Sequence, residues 1–361
     1  MAPAFLVISS LMVISHMMAE RTVLCSDGVK LAVQHWKTDP IESTALLPIN
    51  FVPSERTILC VHGWLDNAAS FNLLAPALLE KGAAKQVIAL DFPGHGMSDH
   101  KSNDAHPQLL AEYAYYVAEA TKQIIPNTNE KFTLIGHSMG AGVATIFAAA
   151  WPDKIDRLIL LDGLGPQAQD ARDASSHARA SIEKRFTANK ILYPKFTTAE
   201  PSSTELTPEF QMLRDLKGKR VYPSIEKAIE TRMLTARLSP GKQSISFEAS
   251  AAMVKRSTRT APPDYQSTGH EVVFQHDIRL NCPSLQYYTK EQVQSLLEDV
   301  TCKTCVLLAE DGWPIGESDK EFAVRALKPY TMKTLPGSHH FHADPDTVEE
   351  VINYVADFLL R

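Results

Sequence analysis

Short apolar runs that end in or next to glycine recur along the first half of the chain and constrain its fold most strongly. They are TILCVHG (57–63), QVIALDFPG (86–94), FTLIGHS (132–138) and RLILLDG (157–163). Continuous runs of Val, Ile and Leu of this length are typical of strands buried on both faces, as in a parallel sheet. Helical patterns lie between the runs, for example at 106–124. This alternation predicts an α/β fold with a mostly parallel, doubly wound sheet.

The pattern changes after residue 166, which indicates an insertion. From about 167 to 280 no clean buried strand is evident, and charged amphipathic stretches predict helices instead. A β-hairpin is predicted at 21–36, and the strand pattern resumes at 304–312. The expected parts are an uncertain N-terminal extension (1–20), a first part of the core (21–165), a helical lid or cap (166–300) and a second part of the core (301–361).

Two helix starts in the second half carry capping signals. Thr289 with Gln292, and Thr347 with Glu350, match the pattern of a capping box, in which the first side chain accepts a backbone N–H and the second reaches back. Each pair precedes an apolar stripe at helical spacing. We therefore predict helices that begin directly after Thr289 and Thr347.

Composition and charge narrow the classes of function. With 44% hydrophobic and 22% charged residues, the 361-residue chain has an ordinary globular composition. A net charge of −6 argues against a nucleic-acid partner. The five cysteines are an odd and sparse set, which disfavours a disulfide framework. Cys302-x-x-Cys305 opens an apolar run, so core thiols are favoured over a redox or metal site.

Residues 1–18 leave the cellular location open. The segment is apolar, but it lacks the basic start and the small-residue cleavage site of a signal peptide. It is also too short and too interrupted by serine to span a membrane. We expect a cytoplasmic protein with no stable membrane span, or a secretory or organellar one if residues 1–18 act as a targeting segment. Met17 or Met18 is an alternative start.

Gly136-His137-Ser138-Met139-Gly140 is a G-x-S-x-G pattern placed where an apolar run stops and a small-residue helical run begins. A serine on such a turn is held in a strained backbone geometry, and the flanking glycines relieve steric crowding. The strain lifts the hydroxyl clear of the sheet, while the N-terminus of the following helix offers N–H groups and a partial positive charge. Ser138 is therefore predicted to be a nucleophile.

A serine hydroxyl needs a base, and in this architecture an acid and then a histidine follow the nucleophile along the chain. The stretch PGSHHFHADP (336–345), after the last predicted strand, carries three histidines. His339 is predicted to be the general base, with His340 as the alternative and His342 packing within the loop. A metal site is disfavoured because no cysteine pair or H-E-x-x-H pattern accompanies them. No metal or organic cofactor is expected.

Two aspartates fit the acid that orients the imidazole and stabilises its protonated form. Asp162 ends the run RLILLD, and Asp311 lies in LLAEDG. Either residue also fits a turn at the end of a strand. The residues alone leave both open.

Backbone N–H groups are predicted to form an oxyanion hole, the donors that stabilise a developing negative charge on the substrate oxygen. One is the N–H of Met139, directly after the nucleophile, and the other is the N–H of Trp64, in the loop after the first apolar run. His62, in the same loop, is predicted to be structural. The glycine-rich stretch 91–99 lacks the spacing of a phosphate loop and is predicted to be an ordered turn beside the pocket.

Several stretches together resemble the α/β-hydrolase superfamily: VHGWLDNAASFNLLAPAL, IALDFPGHGMSD, LIGHSMGAG and GSHHFHADPDTVEEV. More narrowly, they are similar to the serine hydrolase-like proteins, as is FQHDIRLNCPSLQYYTKEQVQ. The resemblance runs from about Arg21 to the end and is weakest over 167–270. It implies a nucleophile at Ser138, a base at His339 and a helical lid after the sixth strand.

The resemblance also bears on the acid. Most relatives carry it in a G-x-x-D pattern after strand seven, and aligning LLAEDGWP to that pattern puts Gly312 at the aspartate position. Some haloalkane dehalogenases keep the acid after strand six, at the position of Asp162. The resemblance therefore favours Asp162 over Asp311. Haloalkane dehalogenases and epoxide hydrolases need an aspartate nucleophile, so Ser138 argues against their chemistries.

The leading hypothesis is a carboxylesterase-type serine hydrolase that cleaves a carboxylic ester or thioester through an acyl-enzyme. Aromatic residues of the lid favour an apolar acyl or alcohol group, although each fits packing against the core equally well; they are Phe186, Tyr193, Phe196 and Phe210. One alternative is a catalytically silent fold that binds a ligand or partner. Another is a carbon–carbon bond hydrolase or a cofactor-free haloperoxidase-type activity on the same triad.

Overall fold

A computed structural model describes residues 16–38, 54–103, 105–106, 109–125, 130–192 and 220–361. The strands are β1 His16–Leu24, β2 Lys30–Thr38, β3 Thr57–Val61, β4 Gln86–Leu90, β5 Phe132–His137, β6 Ile155–Leu161, β7 Val221–Tyr222, β8 Thr258–Thr260, β9 Val272–Phe274, β10 Lys303–Asp311 and β11 Thr331–Ser338. The helices are α1 Leu74–Glu80, α2 Leu110–Ile124, α3 Met139–Ala150, α4 Ala174–Leu192, α5 Ile225–Arg237, α6 Phe247–Ser257, α7 Lys290–Glu298, α8 Glu317–Leu327 and α9 Val348–Leu360.

The main sheet has the strand order β1-β2-β4-β3-β5-β6-β10-β11. β2 pairs antiparallel with β1 and with β4, and the pairings from β4 to β11 are parallel. The predicted mostly parallel, doubly wound sheet is confirmed. The chain leaves β3 toward one edge of the sheet as β4 and returns on the other side of β3 as β5. At such a switch point the carboxyl ends of neighbouring strands open a crevice that suits a ligand.

Apolar side chains fill both faces of this sheet. On β6, Leu158 and Leu160 pack toward α2, α3, α7 and α8, whereas Ile159 and Leu161 pack toward α1 and α9. Neighbouring positions of the strand are therefore buried on opposite faces. This explains why the strands are continuous apolar runs in the sequence rather than alternating patterns.

The cap, defined here as the described residues between β6 and α7, combines helices with a small antiparallel sheet. The helices are α4, α5 and α6, and the strands lie in the order β7-β9-β8. The predicted helical insertion is therefore present, and it also contains three short strands that the sequence did not indicate. The sequence did not reveal these strands because they have only two or three residues each. Alternation becomes visible only over about four to eight residues.

Two of the expected boundaries differ from the elements observed. Residues 16–20, assigned to the extension, belong to β1 and pair with β2. As an edge strand with mostly exposed side chains, β1 carries little apolar alternation. Helix α7, assigned to the lid, places Val293 and Leu297 in the core cluster of the main sheet. The division of the chain into four parts otherwise stays a prediction.

One of the two predicted capping boxes is present. Thr289 accepts the backbone N–H of Gln292, and the Gln292 side chain accepts that of Thr289, at 3.4 and 2.9 Å. The box predicted for Thr347 and Glu350 is wrong, because the Thr347 hydroxyl donates to the carbonyl of Phe341 at 2.8 Å. The Phe341 carbonyl, in the loop that precedes α9, binds the hydroxyl in place of the helix N-terminus. The spacing of Thr347 and Glu350 in the sequence does not indicate this other partner.

No helix in the described ranges is both long enough and apolar enough to cross a bilayer. Residues 1–15 lie outside those ranges. The expectation of a cytoplasmic location, and its alternative of a targeting segment at 1–18, therefore remain predictions.

Candidate active site

Ser138 lies on the turn between β5 and α3, at the carboxyl edge of the sheet. Its backbone has φ 52° and ψ −118°, a region that residues other than glycine avoid. Such a conformation costs about 1–3 kcal/mol and persists only where the surroundings impose it. The Ser138 N–H donates to the carbonyl of Leu161 at 3.0 Å, which ties the turn to β6. The strained turn expected from the G-x-S-x-G pattern is thus present.

The two glycines of the motif are required by close approach of the backbone. A Cβ on Gly136 would lie 2.4 Å from the carbonyl oxygen of Gly140. A Cβ on Gly140 would lie 2.3 Å from the carbonyl oxygen of Val61, the last residue of β3. Both distances are far inside van der Waals contact, so a larger residue would push α3 away from the sheet. The glycines therefore hold the start of α3 against the end of β3.

The imidazole of His339, directly after β11, lies between a hydroxyl and a carboxylate. Its Nε2 is 2.8 Å from Ser138 Oγ, and its Nδ1 is 2.5 Å from Asp162 Oδ2. A carboxylate only accepts hydrogen bonds, so Nδ1 carries the hydrogen and Nε2 is left to accept the serine hydroxyl. The side chains of His339 and Asp162 are 11% and 2% exposed. The three side chains predicted for this site are in one hydrogen-bonded chain.

The carboxylate beside the imidazole is that of Asp162 and not that of Asp311. Asp162 Oδ1 accepts the N–H of Ala309 at 3.0 Å, and Oδ2 accepts the N–H of Trp313 at 2.8 Å. These two donors fix the orientation of the carboxylate. The Asp311 side chain is 50% exposed and lies 3.8 Å from Lys242 Nζ. It therefore faces solvent at the rim.

Gly312 explains how Asp162 can occupy this place. A Cβ on Gly312 would lie 2.3 Å from Asp162 Oδ1 and 2.7 Å from its Oδ2. The carboxylate of Asp162, arriving from β6, thus fills the space that a side chain on residue 312 would need. An aspartate at residue 312, directly after β10, would exclude the Asp162 carboxylate. The acid can occupy position 162 only because residue 312 has no side chain.

The two predicted oxyanion donors lie at adjacent strand ends. Met139 is the first residue of α3, and Trp64 is the second residue of a turn closed by the Asp66 N–H and the Gly63 carbonyl at 3.2 Å. Within the described residues, neither the Met139 N–H nor the Trp64 N–H has a protein acceptor. Both groups are therefore free to bind a substrate oxygen, and their role stays a prediction.

A buried ion-pair cluster beside the base was missed by the sequence analysis. Asp66 accepts a hydrogen bond from Arg232 Nη2 of α5 at 2.5 Å and from His340 Nε2 at 3.1 Å. Burial would raise the pKa of the Asp66 carboxyl, but His340 and Arg232 together hold it well below its usual value. His340, the alternative base, is thus engaged with Asp66. Asp66 and Arg232 are 166 residues apart, and no local pattern signals their contact.

The other histidines that the sequence placed nearby have structural contacts. His342 is fully buried, its ring lies 4.2 Å from that of His137, and burial lowers its pKa to about 3. His137 in turn donates from Nε2 to the carbonyl of His339, at 2.8 Å. His62 accepts the N–H of Phe92 at 3.0 Å and donates to the Gly63 carbonyl at 2.7 Å. Within the described ranges, no three His, Cys, Asp or Glu side chains are grouped to hold a metal.

One exposed aromatic side chain lies beside the base, and two others are exposed elsewhere on the carboxyl edge and the cap. The ring of Trp313 lies 5.6 Å from that of His339, and the residue is 42% exposed. Trp64 is 44% exposed and donates from its indole to the Leu280 carbonyl at 3.0 Å. Phe186, on α4, is 62% exposed. The other aromatic residues predicted to line the lid, Tyr193, Phe196 and Phe210, lie outside the described residues.

An open polar cleft lies at the opposite, amino edge of the sheet. Its lining includes residues 54–56, 85, 130–131 and 156. Arg56 pairs there with Asp156 at 3.0 Å, and Lys85 pairs with Glu130 at 3.2 Å. Because these charges neutralise one another far from Ser138, this cleft is not the candidate active site.

Comparison with known proteins identifies the family. A family model described as alpha/beta hydrolase fold matches residues 56–248, which is more than half of the chain. The chain therefore belongs to the α/β-hydrolase fold family, and the resemblance noted in the sequence is confirmed.

The chain is similar to particular relatives and solved structures. A serine hydrolase-like protein of Danio rerio is 28% identical over 84% of this chain and 81% of its own length. One of Dictyostelium discoideum is 26% identical over 90% of this chain and 77% of its own. The crystal structure of a hypothetical protein of Pseudomonas aeruginosa is similar with a TM-score of 0.72 and 28% identity, over 95% of this chain and 99% of that one. A thioesterase domain from the curacin pathway (TM-score 0.66, 17% identity, 96% and 100% coverage) shares the fold.

Proposed function

We propose that this protein is a serine hydrolase that cleaves a carboxylic ester or thioester through an acyl-enzyme intermediate. The observation that carries the proposal is the continuous hydrogen-bonded chain from the Ser138 hydroxyl through His339 to the Asp162 carboxylate, with distances of 2.8 and 2.5 Å. Such a chain activates an otherwise unreactive hydroxyl. The similarity to serine hydrolase-like proteins of a fish and a slime mould supports the same class.

In the first half-reaction Ser138 Oγ attacks the acyl carbon while its proton passes to His339 Nε2. The hydrogen bond from Nδ1 to Asp162 stabilises the imidazolium that forms. The N–H groups of Met139 and Trp64 donate to the carbonyl oxygen as it becomes negative, which lowers the barrier. The bond to the leaving alcohol or thiol then breaks, and the leaving group takes the proton from Nε2.

In the second half-reaction water replaces the leaving group. His339 removes a proton from water, and the resulting hydroxide attacks the acyl carbon of the ester on Ser138. The same two backbone donors stabilise the second oxyanion. Collapse releases the carboxylic acid and returns the proton to Ser138 Oγ. The proposed reaction uses the triad, the two N–H groups and water, and it requires no other group.

An apolar substrate fits the surroundings of the hydroxyl. The exposed faces of Trp64 and Trp313 supply aromatic surface at the carboxyl edge of the sheet, and apolar surfaces of this kind favour hydrophobic acyl or alcohol groups. The unusual place of the acid was the one feature of the sequence that favoured a catalytically silent fold. That argument is weakened by the contact between Asp162 and His339.

The test is hydrolysis of p-nitrophenyl esters from acetate to laurate by the wild type and by Ser138→Ala. We expect turnover by the wild type, and a loss of at least about 1,000-fold in the variant because the nucleophile is gone. A fluorophosphonate probe should label the wild type and not Ser138→Ala. Ser295→Ala, a change at an exposed serine of α7, is the matched control and should behave as the wild type. Hydrolysis or labelling that persists without Ser138 refutes the proposal.

A further inference from the structure

The chain that joins α5 to α6 in the cap lies against two loops: the loop after β11, which carries the base, and the loop after β10, which packs on the acid. The Ser338 hydroxyl donates to the carbonyl of Ser244, and the Ser246 N–H donates to Asp344 at 3.0 Å. Lys242, in the same stretch, is exposed and only approaches Asp311. Residues 240–246, here called the cap strap, therefore contact both loops of the candidate site.

Gln243, in the middle of the cap strap, bonds to both loops with one side chain. Its Oε1 accepts the backbone N–H of His339 at 3.0 Å. Its Nε2 donates to the Gly312 carbonyl at 2.8 Å and to the Pro240 carbonyl at 3.1 Å. Only this orientation of the amide pairs every donor with an acceptor, so the oxygen and nitrogen are assigned by their partners. The side chain is buried, with the residue 7% exposed.

These contacts lie on the two sides of the hydrogen bond between acid and base. Gly312 packs directly on the Asp162 carboxylate, and the next residue, Trp313, donates its N–H to that carboxylate. On the other side, the His339 main chain is held twice, at its N–H by Gln243 and at its carbonyl by His137. Gln243 thus joins the main chain of the base to the loop that packs on the acid, and it connects the two sides of the hydrogen bond between Asp162 and His339.

We propose that Gln243 is a positioning residue that sets the distance between acid and base and couples it to the position of the cap. The proposal rests on the hydrolase function proposed above for its kinetic consequence, but the geometric consequence is independent of turnover. When the cap strap is in place, the side-chain amide of Gln243 joins the two loops. Without it, the His339 N–H and the Gly312 carbonyl lose their shared partner, and the loops are free to separate.

Two substitutions separate positioning from simple packing. Gln243→Leu keeps the volume and removes all three hydrogen bonds, whereas Gln243→Glu keeps an acceptor for the His339 N–H. We expect the leucine variant to lose about 10- to 100-fold in kcat on p-nitrophenyl acetate with KM unchanged, because a shift of about 1 Å in a catalytic group has that effect. The kcat of the glutamate variant should lie between that of the wild type and that of the leucine variant. Lys242→Ala, a change at the neighbouring exposed residue, is the matched control and should retain wild-type kcat.

The second readout is the far-downfield proton resonance of the His339 Nδ1–H that bonds to Asp162, recorded for the folded full-length chain. We expect it in the wild type and in Lys242→Ala, weakened in Gln243→Glu and absent in Gln243→Leu. A folded leucine variant with the wild-type resonance overturns the proposal, and so does a kcat loss equally large in Lys242→Ala. If the leucine variant does not fold, an undiminished resonance in the glutamate variant overturns it. A wild type that shows the resonance but hydrolyses no ester refutes the proposed function alone.

Discussion

Replacing Gly312 by alanine is expected to displace the carboxylate that holds the histidine. The new Cβ would lie 2.3 Å from Asp162 Oδ1, whereas ordinary contacts begin at 3.4 Å. The carboxylate cannot turn aside freely because the N–H groups of Ala309 and Trp313 hold it. The carboxylate or its loop must therefore shift by about 1 Å, which costs on the order of 100-fold in rate. That factor corresponds to about 2.7 kcal/mol of transition-state stabilisation.

The assay is kcat/KM on p-nitrophenyl acetate, with a thermal melt to establish that each variant is folded. Gly316→Ala is the matched control in the same loop, because a Cβ there would meet nothing closer than Asp319 Oδ2 at 3.7 Å and its φ is −61°. We expect the control to keep wild-type kcat/KM. A folded Gly312→Ala with wild-type kcat/KM would show that the space beside the carboxylate is not needed, and the reasoning would fail.

Further predictions concern the acid at residue 162 and the buried His342. Asp162→Asn should lower kcat/KM by about 1,000- to 10,000-fold, as expected when the imidazole loses its orienting acid, while Asp311→Asn should leave it nearly unchanged; the reverse ranking in the ester assay contradicts the assignment. The double change Asp162→Gly with Gly312→Asp moves the acid from the end of β6 to the loop after β10, and it should recover part of the kcat/KM lost in Asp162→Gly. The last concerns stability. Burial lowers the pKa of His342 to about 3 from 6.5, so the unfolded chain takes up a proton that the folded chain does not. The free energy of unfolding should therefore fall by up to about 1.4 kcal/mol per pH unit as the pH drops below about 6.5. The free energy of unfolding can be measured with urea at several pH values between neutral and acid. For His342→Leu it should change less steeply with pH than for the wild type, and an identical pH dependence refutes this cause.

The central sheet was the most predictable part of the fold because burial on both faces leaves a continuous apolar record. The runs at 57–63 and 157–163 correspond to β3 and β6 with only small differences at their ends. The sequence patterns of β1 and of the small sheet of the cap are weaker. β1 is an edge strand with exposed side chains, and β7, β8 and β9 are too short for a period to repeat.

The elements of the site differed in how far the sequence could assign them. Ser138 is marked by local sterics, since the glycines at 136 and 140 allow a close backbone approach that larger residues would block. The acid had no comparable local mark, because Asp162 and Asp311 both lie near the ends of neighbouring strands, β6 and β10. No sequence pattern indicates a role for Gln243, because a glutamine in a loop is common and its importance depends on partners that are distant in the chain.

The sequence by itself determined the class of fold, the strained turn at Ser138 and the histidine-rich loop that follows the last strand. Each depends on neighbouring residues, whose sizes and polarities act over one strand or one turn. Only the tertiary structure decided which carboxylate meets His339 and which cap residue bonds to both loops. Those contacts join residues far apart in the chain. They depend on where strands end relative to one another, which no local pattern encodes.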